Sequence, residues 1–274
     1  VFPGFFGFTK GGKIVTFQRG GSDITGSISS VSVKAECYEN FTDVDSVFCV
    51  DPSIVKNAKP IEEITYREMR ELSYAGFSVL HEEAITPTVK AGIPICIKNT
   101  NHPEAPGTRI VPIRNLKRTD ARVVGIASSD GFCAVYVDKY LMNREVGFGR
   151  KFLQIFEEEA ISYEHAPSGI DNMSVIFRED AFDKRMEEKL LGRIRTELNP
   201  YNIEDDRGLA LIMIVGEGMQ YTVGMAARAT QAFGDAGVNI EMMNQGSSEM
   251  SMMFGIKAVD RVKAVTVLYK AFFE

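Results

Sequence analysis

Asn172-Met173-Ser174-Val175-Ile176-Phe177 and Glu249-Met250-Ser251-Met252-Met253-Phe254 share Met, Ser and Phe at a separation of 77 residues. The same separation carries Met142 to Met219, Val146 to Val223, Gly147 to Gly224 and Phe156 to Phe233. An ungapped register of that length marks a diverged internal repeat. Each copy reads strand, helix, strand, strand, helix. In the first, 123–128 opens the copy, and Phe148, Phe152, Ile155 and Phe156 recur at helical spacing. Residues 161–165 and 173–177 then read as strands, and Met186, Leu190 and Ile194 mark a second helix. The second copy places its elements at 209–215, 222–236, 238–243, 250–256 and 259–273. A βαββα unit of this size predicts a ferredoxin-like half-sandwich, α+β, with helices on one face of an antiparallel sheet.

Upstream of the repeat the period changes. Short apolar runs at 13–17, 37–42 and 94–98 alternate with helix-like stretches, as in an α/β layer structure. Ile24, Ile28, Val31 and Ala35 follow Ser22 and Asp23, both good N-cap types, and predict one helix. Pro103, Pro106, Gly107, Pro112 and the charged stretch 114–122 read as a connector. The expected division is 1–112, 120–200 and 206–274.

The composition, 45% hydrophobic and 25% charged over 274 residues, supplies apolar material for two or three cores. A net charge of -6 gives no general attraction to nucleic acid or to anionic membranes. The longest apolar run, 209–215, is far shorter than a membrane helix needs, and no targeting signal is visible. Cys37, Cys49, Cys96 and Cys133 form no CxxC pair and His81, His102 and His165 are scattered, which predicts a reducing cytoplasm and no metal site among these residues. Residues 1–12 read as a strand and turn inside a domain, so a missing upstream segment is expected.

Three segments carry chemistry. Arg19-Gly20-Gly21-Ser22-Asp23 stands between a strand and a helix, where glycines admit a ligand, helix amides face an anion and Arg19 forks onto carboxylate or phosphate. An ordinary tight turn with a capped helix explains the same residues. Thr42-Asp43-Val44-Asp45, continuing through Phe48 to Asp51-Pro52, ends a strand where open α/β sheets bind ligands; it suits a ribose or magnesium ion, or merely shapes turns. Ile95-Cys96-Ile97-Lys98-Asn99-Thr100 ends a strand in a lysine and two polar groups.

Together with Phe2-Pro3-Gly4-Phe5-Phe6-Gly7, Val79-Leu80-His81 and Ile93-Pro94, these motifs resemble, in order and spacing, the aspartate kinases of the amino acid kinase superfamily. The repeat resembles their tandem ACT modules. The resemblance implies the C-terminal half of a kinase αβα layer domain followed by two ACT modules. It also implies an enzyme that uses Mg2+ and ATP to phosphorylate the aspartate side chain to 4-phosphoaspartate, opening lysine, threonine and methionine biosynthesis. By the same carry-over, Arg19 is the catalytic residue and binds substrate with Gly20, Gly21, Ser22 and Asp23, while Thr42, Asp43, Phe48, Lys98 and Asn99 hold the nucleotide. Phe48 and Ser53 stand where many relatives have tyrosine and arginine. The family's Lys-Phe-Gly-Gly-Thr-Ser segment and an acidic aspartate-binding residue would lie upstream of Val1, so this chain alone is expected to be inactive.

Gly147-Phe148-Gly149 opens a helix whose amides suit an amino acid's carboxylate, and Ser162, Tyr163 and Glu164 follow on the next strand. Glu164 suits a side-chain ammonium, which favours lysine over threonine as effector. The repeat places Glu241 at the equivalent offset, so Glu164 also reads as a solvent-facing strand residue. In lysine-inhibited relatives the segments resembling Met142, Glu145, 147–149 and 162–164 line the lysine site. His81 reads as structural, and Met242, Met243, Met250, Met252 and Met253 as strand core or dimer interface. A homodimer or higher homo-oligomer through the ACT modules is expected. A non-catalytic regulatory subunit and an amino-acid-binding module of another system are the competing readings.

Overall fold

The structure, a computed structural model, describes residues 1–17, 20–77, 85–113, 123–246 and 250–274. An antiparallel hairpin, β1 (Phe6–Phe8) with β2 (Ile14–Thr16), precedes α1 (Gly21–Ser32). A four-stranded sheet follows, built from β3 (Tyr38–Thr42), β4 (Glu63–Thr65), β5 (Ile95–Asn99) and β6 (Thr108–Val111) in the order β3-β5-β6-β4. Helices α2 (Tyr66–Tyr74) and α3 (Thr86–Ala91) complete this layer.

Two expectations fail here. The stretch read as connector holds β6, whose Thr108, Ile110 and Val111 are buried. Its entry depends on Gly107: at φ +69, a Cβ there would lie 2.0 Å from the Ile97 carbonyl oxygen. In α1 the buried face is Gly21, Ser27 and Ser30, not the apolar stripe, and Ile28 is half exposed. Small residues win that face because neighbours come too close for larger ones. A Cβ on Gly26 would sit 2.4 Å from the Tyr38 hydroxyl, and Ser27 exchanges hydrogen bonds with Thr88 of α3. Ala35 lies beyond the helix.

The second layer contains β7 (Gly125–Asp138), α4 (Phe148–Glu158), β8 (Tyr163–His165), β9 (Asn172–Arg178) and α5 (Lys184–Leu198). It continues through β10 (Asn202–Val215), α6 (Met225–Asp235), β11 (Met242–Gln245), β12 (Ser251–Lys257) and α7 (Arg261–Phe273). Six strands make one sheet in the order β11-β12-β10-β7-β9-β8. Strands β7 and β10 run antiparallel along their whole length, Gly125 opposite Val215 and Asp138 opposite Asn202, with a bulge near Leu209. Each serves both modules. The second half of β10 pairs with β12 and the second half of β7 with β9, so the first half of each is the fourth strand of the other module. Residues 123–128 therefore do not open the first copy as expected; they close the second.

The repeat register also needs correction. It holds at 77 for β7 with β10 and for α4 with α6. Beyond β8 it slips by two, because Met173 faces Val137 while Met252 faces Ile214. Counted between the paired residues, from His165 to Ile176 and from Met242 to Gly255, the second hairpin is two residues longer than the first. A slip of two keeps every side chain on its face, so alternation in the sequence is blind to it.

Two cores result. One belongs to the first module and is built on Phe152, Phe156, Phe177 and Phe182, with Leu190 and Ile194 of α5. The other joins the four-stranded layer to the second module: Ile64, Met69, Leu72, Ile95 and Ile97 share a cluster with Ile212, Ile214, Phe233, Phe254 and Leu268. Phe156 has no exposed surface and packs edge-on against Phe152 and Phe177 at centroid distances of 5.5 and 5.4 Å. Phe156→Ala is expected to cost the first module about 3–5 kcal/mol in urea unfolding. A loss under about 1 kcal/mol would mean that this is not the module's packing centre.

Candidate functional site

The first anion-suited element is the start of α1. Gly20 takes φ 91 as N-cap, with no side-chain cap, and the Asp23 and Ile24 amides close back on its carbonyl. Gly21 is required: a Cβ there would meet the Phe17 Cβ at 2.4 Å. Ser22 is exposed beside it. The carboxylate of Asp23 is taken by the buried Asn40, whose amide nitrogen donates at 3.0 Å, so this residue ties α1 to β3. Arg19 and His81 lie outside the described residues.

The second element is the carboxyl ends of the parallel pair β3 and β5, locked when Thr100 N–H donates to the Thr42 carbonyl at 2.8 Å. Thr42 donates to Asp43 at 3.1 Å, and Asn99 donates to Asp45 at 2.7 Å. His102 Nδ1 lies 3.0 Å from the same Asp45 oxygen. These contacts hold Asp45 below the usual carboxylate range, chiefly through His102, and raise His102 above the usual imidazole value. Thr42, Asp43 and Asn99 thus lie together at the ends of this strand pair. Lys98 does not converge with Asn99: adjacent strand residues face opposite ways, and its ammonium pairs with Glu39 at 2.8 Å, which raises its pKa. Phe48 packs against the shared core and lines a cavity of about 210 Å³ with Val44, Ser46, Asp51, Phe77 and Ser128. Sequence reasoning missed His102, and it missed that the sulfurs of Cys37, just before β3, and Cys96, on β5, lie 3.3 Å apart.

The third element surrounds α4. Gly147 caps it at φ +81 with no side-chain bond. Glu145 just before it is held by Lys139 at 2.6 Å and Lys151 at 2.9 Å, which lower its pKa, Lys139 most. Lys139 also lies over the buried Phe148 ring at 5.5 Å. Met142 is buried, Gly149 follows in the first turn, and Tyr163 is exposed on β8, with exposed Ser162 just before that strand rather than on it. Glu164 is neither solvent-facing nor in a described contact with Glu145 or the Gly147 turn. It accepts the hydroxyl of Tyr74 from α2 and lies 3.6 Å from Arg178.

Among the described residues no three His, Cys, Asp or Glu side chains gather as a metal site. No described helix is long and apolar enough to cross a membrane.

Comparison with known proteins agrees with this division. A family model described as the amino acid kinase family matches residues 1–99, and one described as ACT domain matches 212–272. A layer of the amino acid kinase family joined to an ACT-bearing sheet defines the class: a member of that family with ACT modules attached. Aspartokinase 3 of Bacillus subtilis is 57% identical over 273 residues, covering 100% of this chain and 60% of that protein. The crystal structure of Clostridium acetobutylicum aspartate kinase superposes with a TM-score of 0.93 at 45% identity, over 98% of this chain and 62% of that one. Escherichia coli aspartokinase III shares the fold at 24% and 23% identity, with TM-scores of 0.79 and 0.77. It was solved with aspartate and ADP and with lysine and aspartate, and this chain, 99% covered in both cases, spans 60% and 59% of those chains. The chain belongs to the aspartokinase family and spans about three-fifths of the relatives just described.

The Asp45–His102 pair gives a pH signature. Its attraction requires an ionised Asp45 and a protonated His102, so it is lost as pH falls through the lowered Asp45 pKa or rises through the raised His102 pKa. An NMR titration should place the His102 midpoint above about 6.5, falling in Asp45→Asn. An unchanged midpoint in that variant would separate the two groups.

Proposed function

We propose that this chain forms part of an aspartate kinase, moving the γ-phosphoryl group of MgATP onto the aspartate side-chain carboxylate, and that its ACT modules sense lysine. The observation that carries the reading is the pairing of an uncapped helix N-terminus after Gly20 with the polar cluster at the ends of β3 and β5. Aspartate is already an anionic nucleophile at neutral pH, so the site needs no strong base; its work is to hold two anions together and offset their charge. Arg19 and the Gly20–Ser22 backbone suit aspartate and the transferring phosphate, with Asp23 positioning the helix through Asn40. Thr42, Asp43 and Asn99 suit the nucleotide. Lys98 joins them only by exchanging its Glu39 partner, and Phe48 serves the fold. Magnesium would arrive on the ATP phosphates and neutralise their charge, since the described side chains offer no three-ligand cage.

The effector reading rests on the open first turn of α4, with Glu145, Lys139 and Lys151 beside it and Met142 beneath. Ser162 and Tyr163 complete that face. The domain division proposed is a kinase segment ending near 112 and two modules, at 120–200 and 206–274, that exchange strands across β7 and β10. A homodimer or higher homo-oligomer through exposed edges such as β8 and a cytoplasmic location are part of this proposal. A purely regulatory subunit is disfavoured by the kinase segment matched over 1–99.

In the polypeptide that carries this chain, Arg19→Ala should lower ATP-dependent aspartyl hydroxamate formation by at least tenfold, about 1.4 kcal/mol, while lysine binding stays within about twofold. Activity unchanged within about twofold would remove Arg19 from the site. Glu145→Gln should weaken calorimetric lysine binding to this chain by about 1.5–3 kcal/mol. Tighter binding of threonine than of lysine would overturn the effector assignment.

A further inference from the structure

A second cavity, of about 340 Å³, opens where α2 meets the six-stranded sheet. That volume is at the lower end for small-molecule pockets, suited to an amino acid rather than a nucleotide. Its walls come from three units. Helix α2 contributes Arg70, Glu71 and Tyr74; β8 of the first module contributes Glu164 and His165; β10 and β12 of the second supply a floor that includes Met213 and Met253.

The chemistry of these walls is specific. Two carboxylates line the cavity, Glu71 from α2 accepting the Ser251 hydroxyl at 2.9 Å and Glu164 from β8 accepting Tyr74. A carboxylate has about four acceptor directions, so both keep capacity for a further donor. Arg70 stands one residue from Glu71 at the exposed mouth. The two methionine side chains present a soft apolar surface between the polar ends. The His165 Nε2 atom is enclosed and has no hydrogen-bond partner among the described residues, an orphan polar group of the kind that a bound molecule satisfies. Burial holds the ring's pKa below the usual imidazole value, so it stays neutral near pH 7.

We propose that this interdomain cavity binds a basic amino acid: two ammonium groups on Glu71 and Glu164, a methylene stem over Met213 and Met253, and a carboxylate at Arg70. Such a ligand would share Glu164 with Tyr74, whose contacts with Glu164 and His165 join α2 to β8. Occupancy would therefore act directly on a helix of the kinase segment. This site goes beyond the effector reading at α4 and uses only Glu164 of the residues first assigned there.

The test is an NMR titration of this chain with isotope-labelled histidine, following the His165 ring as L-lysine, 1,5-diaminopentane or L-threonine is added. L-lysine should shift the His165 signals saturably, and Glu71→Gln should weaken that response at least tenfold. Arg70→Gln, at an exposed position, should weaken lysine at least fivefold while leaving diaminopentane within twofold. Glu145→Gln should leave the His165 response within twofold. His165 signals unmoved by lysine at tens of millimolar would overturn the cavity site. A response abolished by Glu145→Gln and untouched by Glu71→Gln would do the same while leaving the α4 reading intact. Absence of lysine binding by calorimetry as well would remove both.

Discussion

The pairing of β7 with β10 is the constraint from which the rest of the architecture follows. Two 14-residue strands lie antiparallel end to end, and each gives half its length to either module. Neither ferredoxin-like unit has its fourth strand without the other. A ladder of this length leaves few backbone groups unpaired in the sheet centre, and an unpaired buried group is costly. The pair also delivers 123–128 to the edge where the kinase layer docks. There Ile126 N–H donates to the Cys49 carbonyl at 2.7 Å, and Gly125 admits Leu72 so closely that a Cβ would lie 2.9 Å from it.

Docking continues through a buried polar network. Thr65 and Glu68 form a capping box at the start of α2, and Thr65 also donates to Glu217 of the second module at 3.0 Å. The Glu217 amide in turn donates to Glu68 at 2.9 Å. Both Thr65 and Glu68 are fully buried, so the helix cap and the domain junction are satisfied by the same groups. The second module is thereby fused to the kinase layer, whereas the first keeps its own phenylalanine-rich core and reaches that layer through Tyr74 with Glu164 and His165. An effector bound on the first module has a short route to α2.

Much of this was legible in the sequence because it is periodic. The phenylalanines of α4 announce its buried face, and the strand alternation at 172–178 and 251–257 gives the sheet. What escaped has physical reasons. The two-residue slip between copies preserves side-chain parity, and the exchange of strands leaves no mark on local pattern. The buried face of α1 is small rather than apolar, because Tyr38 and Thr88 approach it closely. At the candidate site, Gly20 lies at a backbone turn and Thr42, Asp43 and Asn99 lie at or beside strand ends, features that residue type and pattern indicate. Lys98 was assigned from the family resemblance and Glu164 from that resemblance and its charge, whereas their partners in the fold, Glu39 and Tyr74, are set by strand facing and by a junction that sequence spacing does not encode.

The central claim is that the kinase layer and the second module are one cooperative unit built on the β7–β10 pair, with the first module's core able to open separately. Native-state hydrogen exchange read by mass spectrometry addresses this directly. As denaturant is raised, peptides covering 93–99 and 209–215 should lose protection together, at the same free energy, while peptides covering 148–158 and 184–198 exchange at a lower one. Loss of protection in 93–99 while 209–215 remains protected would contradict the account.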